Sequence, residues 1–153
     1  MHRKAVKIDE ESIKLISLFN NLTGAVVKDC IVVPGKMGVR DKVIFLVLKE
    51  DVGKAIGRNG ENVKVLKEKL QKTIDIIGFS EDIKEFIQNI LNTSKVRNVE
   101  IRENISGKKT IIITVNPEDK GKAIGKNGIM IKKTKLLVLR HFDVDNCIIN
   151  TKN

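Results

Sequence analysis

The feature that most constrains this chain is an internal duplication. Gly53-Lys-Ala-Ile-Gly-Arg-Asn-Gly60 recurs 68 residues later as Gly121-Lys-Ala-Ile-Gly-Lys-Asn-Gly128, with seven of eight positions identical and Arg58 replaced by Lys126. Upstream, Glu50-Asp51 matches Glu118-Asp119; downstream, Val63 matches Ile131 three places past the last glycine. Such agreement means two copies of one structural unit. With 153 residues to share, the copies are two small domains, expected over residues 1–78 and 79–153.

The surrounding pattern gives each unit the same order of elements. Ile13, Ile16, Phe19 and Leu22 fall at helical spacing between Asp9, a candidate N-cap, and Gly24, a stop. Two β-rich runs follow, Ala25 to Val33 and Lys42 to Lys49, around Pro34-Gly35-Lys36-Met37-Gly38. Asp51 is placed to cap a short helix to Ile56. After the glycine segment Val63, Leu66 and Leu70 mark a second helix, and Thr73 to Ile77 a third strand. Gly78-Phe79-Ser80 is the candidate linker, with Ser80 as the next helix cap. Ile83, Phe86, Ile87 and Ile90 then repeat the leading helix. Val96 to Glu103 and Lys109 to Val115 repeat the strand pair, and Val144 to Ile149 closes the copy. The helix from Ile129 to Phe142 is too apolar for a face meeting only a small sheet, which predicts further packing against the other domain or a partner.

Charge narrows the partner. The chain carries +10, from 29 basic and 19 acidic residues; 15 basic and 10 acidic residues lie up to Gly78 and 14 and 9 beyond it, so each copy carries +5. Neither copy is a basic tail on a neutral body, and a polyanion is the expected partner of both. No run approaches the length of a membrane span and the N-terminus has no apolar signal core, so no membrane partner and a cytoplasmic location are expected. Cys30 and Cys147 are isolated, without metal or disulfide spacing, and are expected as buried small apolar residues. His2 and His141 have no evident metal set. Glu50-Asp51 and Glu118-Asp119 are expected as helix caps rather than catalytic pairs, and Lys64, Lys67, Lys69 and Lys72 as a solvated helix face.

The glycine segment itself suits a phosphodiester chain. A turn bounded by Gly57 and Gly60 can take positive φ and admit another backbone to contact distance, while the helix that starts there directs unpaired N–H groups and its dipole at the same spot. Arg58 and Lys126 add cationic reach toward a phosphate, and Lys54 and Lys122, one turn earlier, flank the path. The spacing excludes a Walker loop, and its position inside a helical hairpin excludes a Rossmann fingerprint. No cofactor and no small-molecule substrate are therefore expected. With five Phe and no Trp or Tyr, aromatic base-stacking platforms are not expected either.

Ile56-Gly57-Arg58-Asn59-Gly60 with Val63, and Ile124-Gly125-Lys126-Asn127-Gly128 with Ile131, resemble the signature of the KH family of RNA-binding domains, whose Gly-x-x-Gly loop clamps an RNA backbone. The leading helix is similar to the bacterial (type II) arrangement, which implies an α+β fold: a three-stranded mixed sheet packed against three helices in each copy. Tandem copies with so short a join resemble the NusA-like transcription factors, archaeal ones in particular. The resemblance implies single-stranded RNA as partner and a role in transcription elongation or termination. It also implies RNA contacts at the two motifs and at Lys54 and Lys122, with Ile56, Val63, Ile124 and Ile131 beside the base groove, although core packing accounts for these four equally well. Bacterial members also carry a polymerase-binding domain and an S1 domain, for which no room is expected here; RNA polymerase remains a second partner that the resemblance raises. The alternatives are a ribosomal or ribosome-assembly KH protein that binds rRNA, or a KH scaffold that docks polymerase. No nucleophile, base and oxyanion set can be assembled at credible spacing, so no enzyme is expected.

Overall fold

The computed structural model describes Val6 and residues 8–151, and the chain divides into two compact units that part between Ser80 and Glu81. The first unit runs α1 (Glu10–Thr23), β1 (Val27–Val33), β2 (Lys42–Leu48), α2 (Val52–Ile56), α3 (Glu61–Leu70) and β3 (Thr73–Phe79). The second repeats it as α4 (Ile83–Ile90), β4 (Val96–Glu103), β5 (Lys109–Val115), α5 (Lys120–Ile124), α6 (Ile129–His141) and β6 (Asn146–Thr151). The sheets have strand orders β1-β2-β3 and β4-β5-β6. In each, the hairpin pair is antiparallel and the strand reached through the two short helices is parallel to the centre. These are the mixed three-stranded sheets expected from the α+β reading.

Local chemistry explains the elements. The Asp9 carboxylate accepts the Ser12 N–H at 2.8 Å at the start of α1, and Gly24 ends the helix at φ 73°, its N–H donating to the Asn20 carbonyl. The buried face of α1 brings Phe19 onto Phe45 of β2, the rings stacked with centroids 4.1 Å apart. Around that pair gather Leu15, Cys30, Val43, Val47, Ala55 and Leu66; burying a side chain such as Phe19 contributes about 2–3 kcal/mol. Every residue from Val43 to Val47 is buried, as an uninterrupted apolar central strand should be. In the second unit Phe86 of α4 lies 5.9 Å from Phe142, ring centre to ring centre.

Three local expectations are corrected. Gly78 and Phe79 are not linker residues: they are the last residues of β3, paired with Val47 and Leu48, so the boundary expected after Gly78 falls inside a strand. Gly78 is there for close packing, since a Cβ on it would lie 3.2 Å from Val52 Cγ2 and 3.4 Å from Lys49 Cα. Because the strand consumes those residues, the cap of α4 moves from Ser80 to Asp82, whose carboxylate accepts the Lys84 N–H at 3.2 Å. Asp51 does not cap α2 either. Its carboxylate accepts the Val26 N–H at 2.8 Å, and Asp119 in the second unit accepts the Lys95 N–H at 3.3 Å. In both copies this aspartate staples the start of the hairpin to the start of the short helix.

The apolar stretch of α6 divides by face. Leu137 and Val138 are buried while Leu136 is exposed, and within its own unit the helix packs against α4, α5 and β6. Of the lysines expected on a solvated helix face, Lys64, Lys67 and Lys69 lie exposed on α3, but Lys72 falls beyond the end of the helix and pairs with Asp41 at 3.6 Å. Both cysteines are buried, and burial is the largest cause pushing each thiol up to about 12. His2 lies outside the described residues; His141 is buried, edge-on to Phe86. No helix among the described residues is long and apolar enough to cross a membrane.

Candidate nucleic-acid interface

Each short helix ends at the first glycine of its motif, and a single tight corner leads into the longer helix. The first corner is set by Gly57 (φ 80°, ψ 170°), Asn59 (φ 54°, ψ 27°) and Gly60 (φ 72°, ψ 19°). The second, at Gly125, Asn127 and Gly128, has angles within 3° of these throughout. The corners are held alike: the first glycine's N–H donates to the Gly53 or Gly121 carbonyl at 2.9 Å, and the second glycine's N–H donates back to the first at 3.1 or 3.0 Å. Asparagine tolerates the left-handed region better than most residues, which explains Asn59 and Asn127 between the glycines.

The two glycines of a corner serve different ends. Gly57 occupies a backbone region open essentially to glycine alone, and a Cβ on it would lie 2.9 Å from the Asn62 side chain; at Gly125 the clash would be with Met130 N and Cγ at 2.8 Å. These first glycines are demanded by the fold. Gly60 is different. A Cβ there would meet nothing within 4 Å, and at Gly128 the nearest atom is 3.7 Å away. Neither α3 nor α6 receives a side-chain cap at that end. The corner is therefore an open backbone surface at a helix N-terminus, suited to an anion carried on another chain.

The remaining expected residues distribute around it. Arg58, Asn59, Lys126 and Asn127 are exposed on the turns. Ile56 is 36% exposed, Val63, Ile124 and Ile131 are half-buried, and neither Ile56 nor Val63 belongs to the core around Phe19 and Phe45. In the first copy, then, Ile56 is open to solvent and Val63 partly so, while Ala55, between Gly53 and Gly57 on α2, is fully buried, as is its counterpart Ala123. Lys122 is drawn away from the corner: its ammonium donates to the Thr93 carbonyl at 3.3 Å and pairs with Asp119 at 3.4 Å. Lys54 lies over the matching end of α1, its Cδ 3.7 Å from where a Cβ of Gly24 would be. One contributor escaped sequence reasoning. Asn62 donates to the Lys54 carbonyl at 3.1 Å and ties α3 to the end of α2, whereas its counterpart Met130 has no amide to do so. Aligning the two repeats beyond the last glycine would have singled it out. Among the described residues no group of three or more His, Cys, Asp or Glu is placed to hold a metal ion.

Comparison with known proteins adds the following. Residues 15–80 match the model of the KH domain, and residues 83–152 match that of the NusA-like second KH domain. A protein of Halococcus morrhuae described as probable transcription termination protein NusA is 33% identical over 141 residues, covering 92% of this chain and 96% of its own length. Its namesake in Methanocaldococcus jannaschii is 30% identical over 149 residues, 97% of this chain and 77% of that one. Among solved structures, the crystal structure of APE1850 superposes with a TM-score of 0.84 at 34% identity, covering 94% of this chain and all of the other.

Proposed function

The chain belongs to the NusA-like family of tandem KH proteins, and from that premise we propose that it binds single-stranded RNA at its two glycine corners, without catalysis, as a factor in transcription elongation or termination. The observation that carries the proposal is the open second glycine of each corner, which leaves backbone at the start of α3 and α6 accessible to a phosphodiester chain. Phosphate contacts there give affinity. The half-exposed Ile56, Val63, Ile124 and Ile131 offer apolar surface to bases in a protein that has no Trp or Tyr to stack them on. Arg58, Asn59, Lys126 and Asn127 are the side chains carried on the two turns, with Lys54 and Lys122 further back. The setting proposed is the cytoplasm, on nascent transcripts, with RNA polymerase as a neighbouring partner.

The test uses the full chain and a variant in which Arg58, Asn59, Lys126 and Asn127 are all replaced by Asp. Fluorescence anisotropy with labelled single-stranded RNA should show binding by the first and none by the second, while circular dichroism stays the same; undiminished binding by a folded variant would overturn the proposal. Crosslinking in cells separates nascent transcripts from rRNA. Recovery of polymerase that survives nuclease treatment would favour a docking scaffold instead.

A further inference from the structure

We infer that the two corners are unequal: the second grips a phosphodiester chain more tightly than the first, and the residue opening the outgoing helix, Glu61 against Ile129, sets the difference. The inference rests on the RNA-binding reading above and goes beyond it. Because the corner backbones agree within 3°, the difference must come from side chains. Glu61 is an acid in the first turn of α3, whereas the first turn of α6 has none. A carboxylate at a helix N-terminus fills the role that a bound phosphate would fill, stabilising the dipole from within the chain and repelling an incoming anion. At Ile129 that role is left to the ligand. The isoleucine is 56% exposed, so beside the turn the second corner presents Ile129, Met130 and Ile131 where the first presents Glu61, Asn62 and Val63. At the next four positions α6 has Lys132, Lys133 and Lys135 where the matching positions of α3 have Lys64, Val65 and Lys67, although α3 goes on to Lys69 where α6 has Leu137.

Two features pull the other way. Lys122, on the preceding helix α5, is already paired with Asp119 just before that helix. Arg58 offers a forked guanidinium where Lys126 offers a point charge, so the test must isolate the carboxylate from it. Like charges about 6 Å apart in water weaken binding about threefold.

The experiment uses two single-corner forms of the full chain, one with Lys126→Asp and Asn127→Asp, the other with Arg58→Asp and Asn59→Asp. Each is titrated against a fluorescein-labelled 12-nucleotide single-stranded RNA of mixed sequence at about 100 mM salt. The form keeping the second corner should bind more tightly, by about threefold or more. Glu61→Gln in the form keeping the first corner should tighten it about threefold, and Ile129→Glu in the other should weaken it as much. Ile129→Glu should at the same time raise the melting temperature by about 1–3 °C, an opposition of signs that mere structural damage would not produce. Equal affinities of the two forms, or a Glu61→Gln that leaves affinity unchanged, would overturn the inference while leaving RNA binding at the corners intact. Wild-type affinity in a chain with both corners replaced would instead defeat the underlying reading.

Discussion

Replacing each glycine of one corner by alanine should separate fold from function. At Gly57 the backbone stands at φ 80°, ψ 170°, where an L-residue is strained by about 1–3 kcal/mol. The new Cβ would lie 2.9 Å from Asn62 Cγ and Nδ2 and 3.1 Å from its backbone N. Asn62 must then turn away and give up its 3.1 Å hydrogen bond to the Lys54 carbonyl, a further loss of about 0.5–1.5 kcal/mol. Against this stands the lower entropy of the unfolded alanine chain, about 0.4–1 kcal/mol, leaving Gly57→Ala destabilised by about 2–3 kcal/mol. At Gly60 the left-handed conformation costs alanine about 1 kcal/mol, nothing lies within 4 Å, and the entropy gain nearly offsets the strain. Urea denaturation of the full chain, with hydrogen exchange of the β2 amides reporting on the first domain, gives the two losses. Anisotropy in the single-corner background gives the two affinities. Gly60→Ala should weaken RNA binding at this corner by about five- to tenfold, close to 1 kcal/mol, with stability almost unchanged, because its methyl enters the space left for the ligand. Equal stability losses at the two positions, or undiminished binding by Gly60→Ala, would refute the division of labour between the glycines.

Other outcomes follow from the same geometry. Gly125→Ala should cost more stability than Gly57→Ala, since its Cβ meets the backbone N of Met130 at 2.8 Å and backbone cannot turn aside as Asn62 can; denaturation midpoints compare them. If two corners and their flanking lysines neutralise about six phosphates, the log-log dependence of affinity on salt should have a slope near −4, and a flat plot would remove phosphate contact from the mechanism. Asp51→Ala and Asp119→Ala should each cost about 1 kcal/mol by freeing the Val26 or Lys95 N–H at the hairpin start, read as earlier unfolding in urea. The two thiols, held protonated up to about 12 by burial, should be silent to a thiol reagent at pH 8 in the native protein and react in urea. A raised native pKa means that the unfolded thiol ionises first, near pH 9. The contribution of each cysteine is thus complete below that pH and is lost as pH climbs from about 9 toward 12, which alkaline denaturation of the wild type against a Cys30→Ala, Cys147→Ala variant measures.

The elements that sequence made legible are those fixed by short-range chemistry or by period. The α1 caps at Asp9 and Gly24, the apolar run of β2, and the strands Val96–Glu103 and Lys109–Val115 all fall where spacing placed them, because each depends on neighbours within a few residues. The misread residues share the opposite trait. Asp51 beside a short helix has the letters of a cap, yet its acceptor role is used 25 residues back in the chain, at Val26. Gly78 before Phe79 and Ser80 has the letters of a linker, yet its missing Cβ makes room for Val52 and Lys49. Nothing local distinguishes a glycine kept for mobility from one kept for packing. At the corners the letters alone likewise could not tell Gly57 from Gly60, since both take positive φ and only the surrounding atoms show that one is enclosed and the other open.

Duplication turns that ambiguity into a measurement. Two copies that keep Gly-Lys-Ala-Ile-Gly, Asn and Gly keep the backbone path, and they also keep the aspartate that braces it. What they let drift lies immediately after the second glycine, where Glu61 and Asn62 stand against Ile129 and Met130. Had the corner been only a way to reverse a helix, these first-turn positions would be free to take whatever caps best, and an acid would serve both helices. The second copy leaves its helix start without one and exposes an isoleucine there instead, at a cost in helix stability that an unoccupied surface gives no reason to accept. An anionic chain resting on that end supplies the missing negative charge, so the helix least well capped by its own sequence is the one whose stability should rise most when RNA binds.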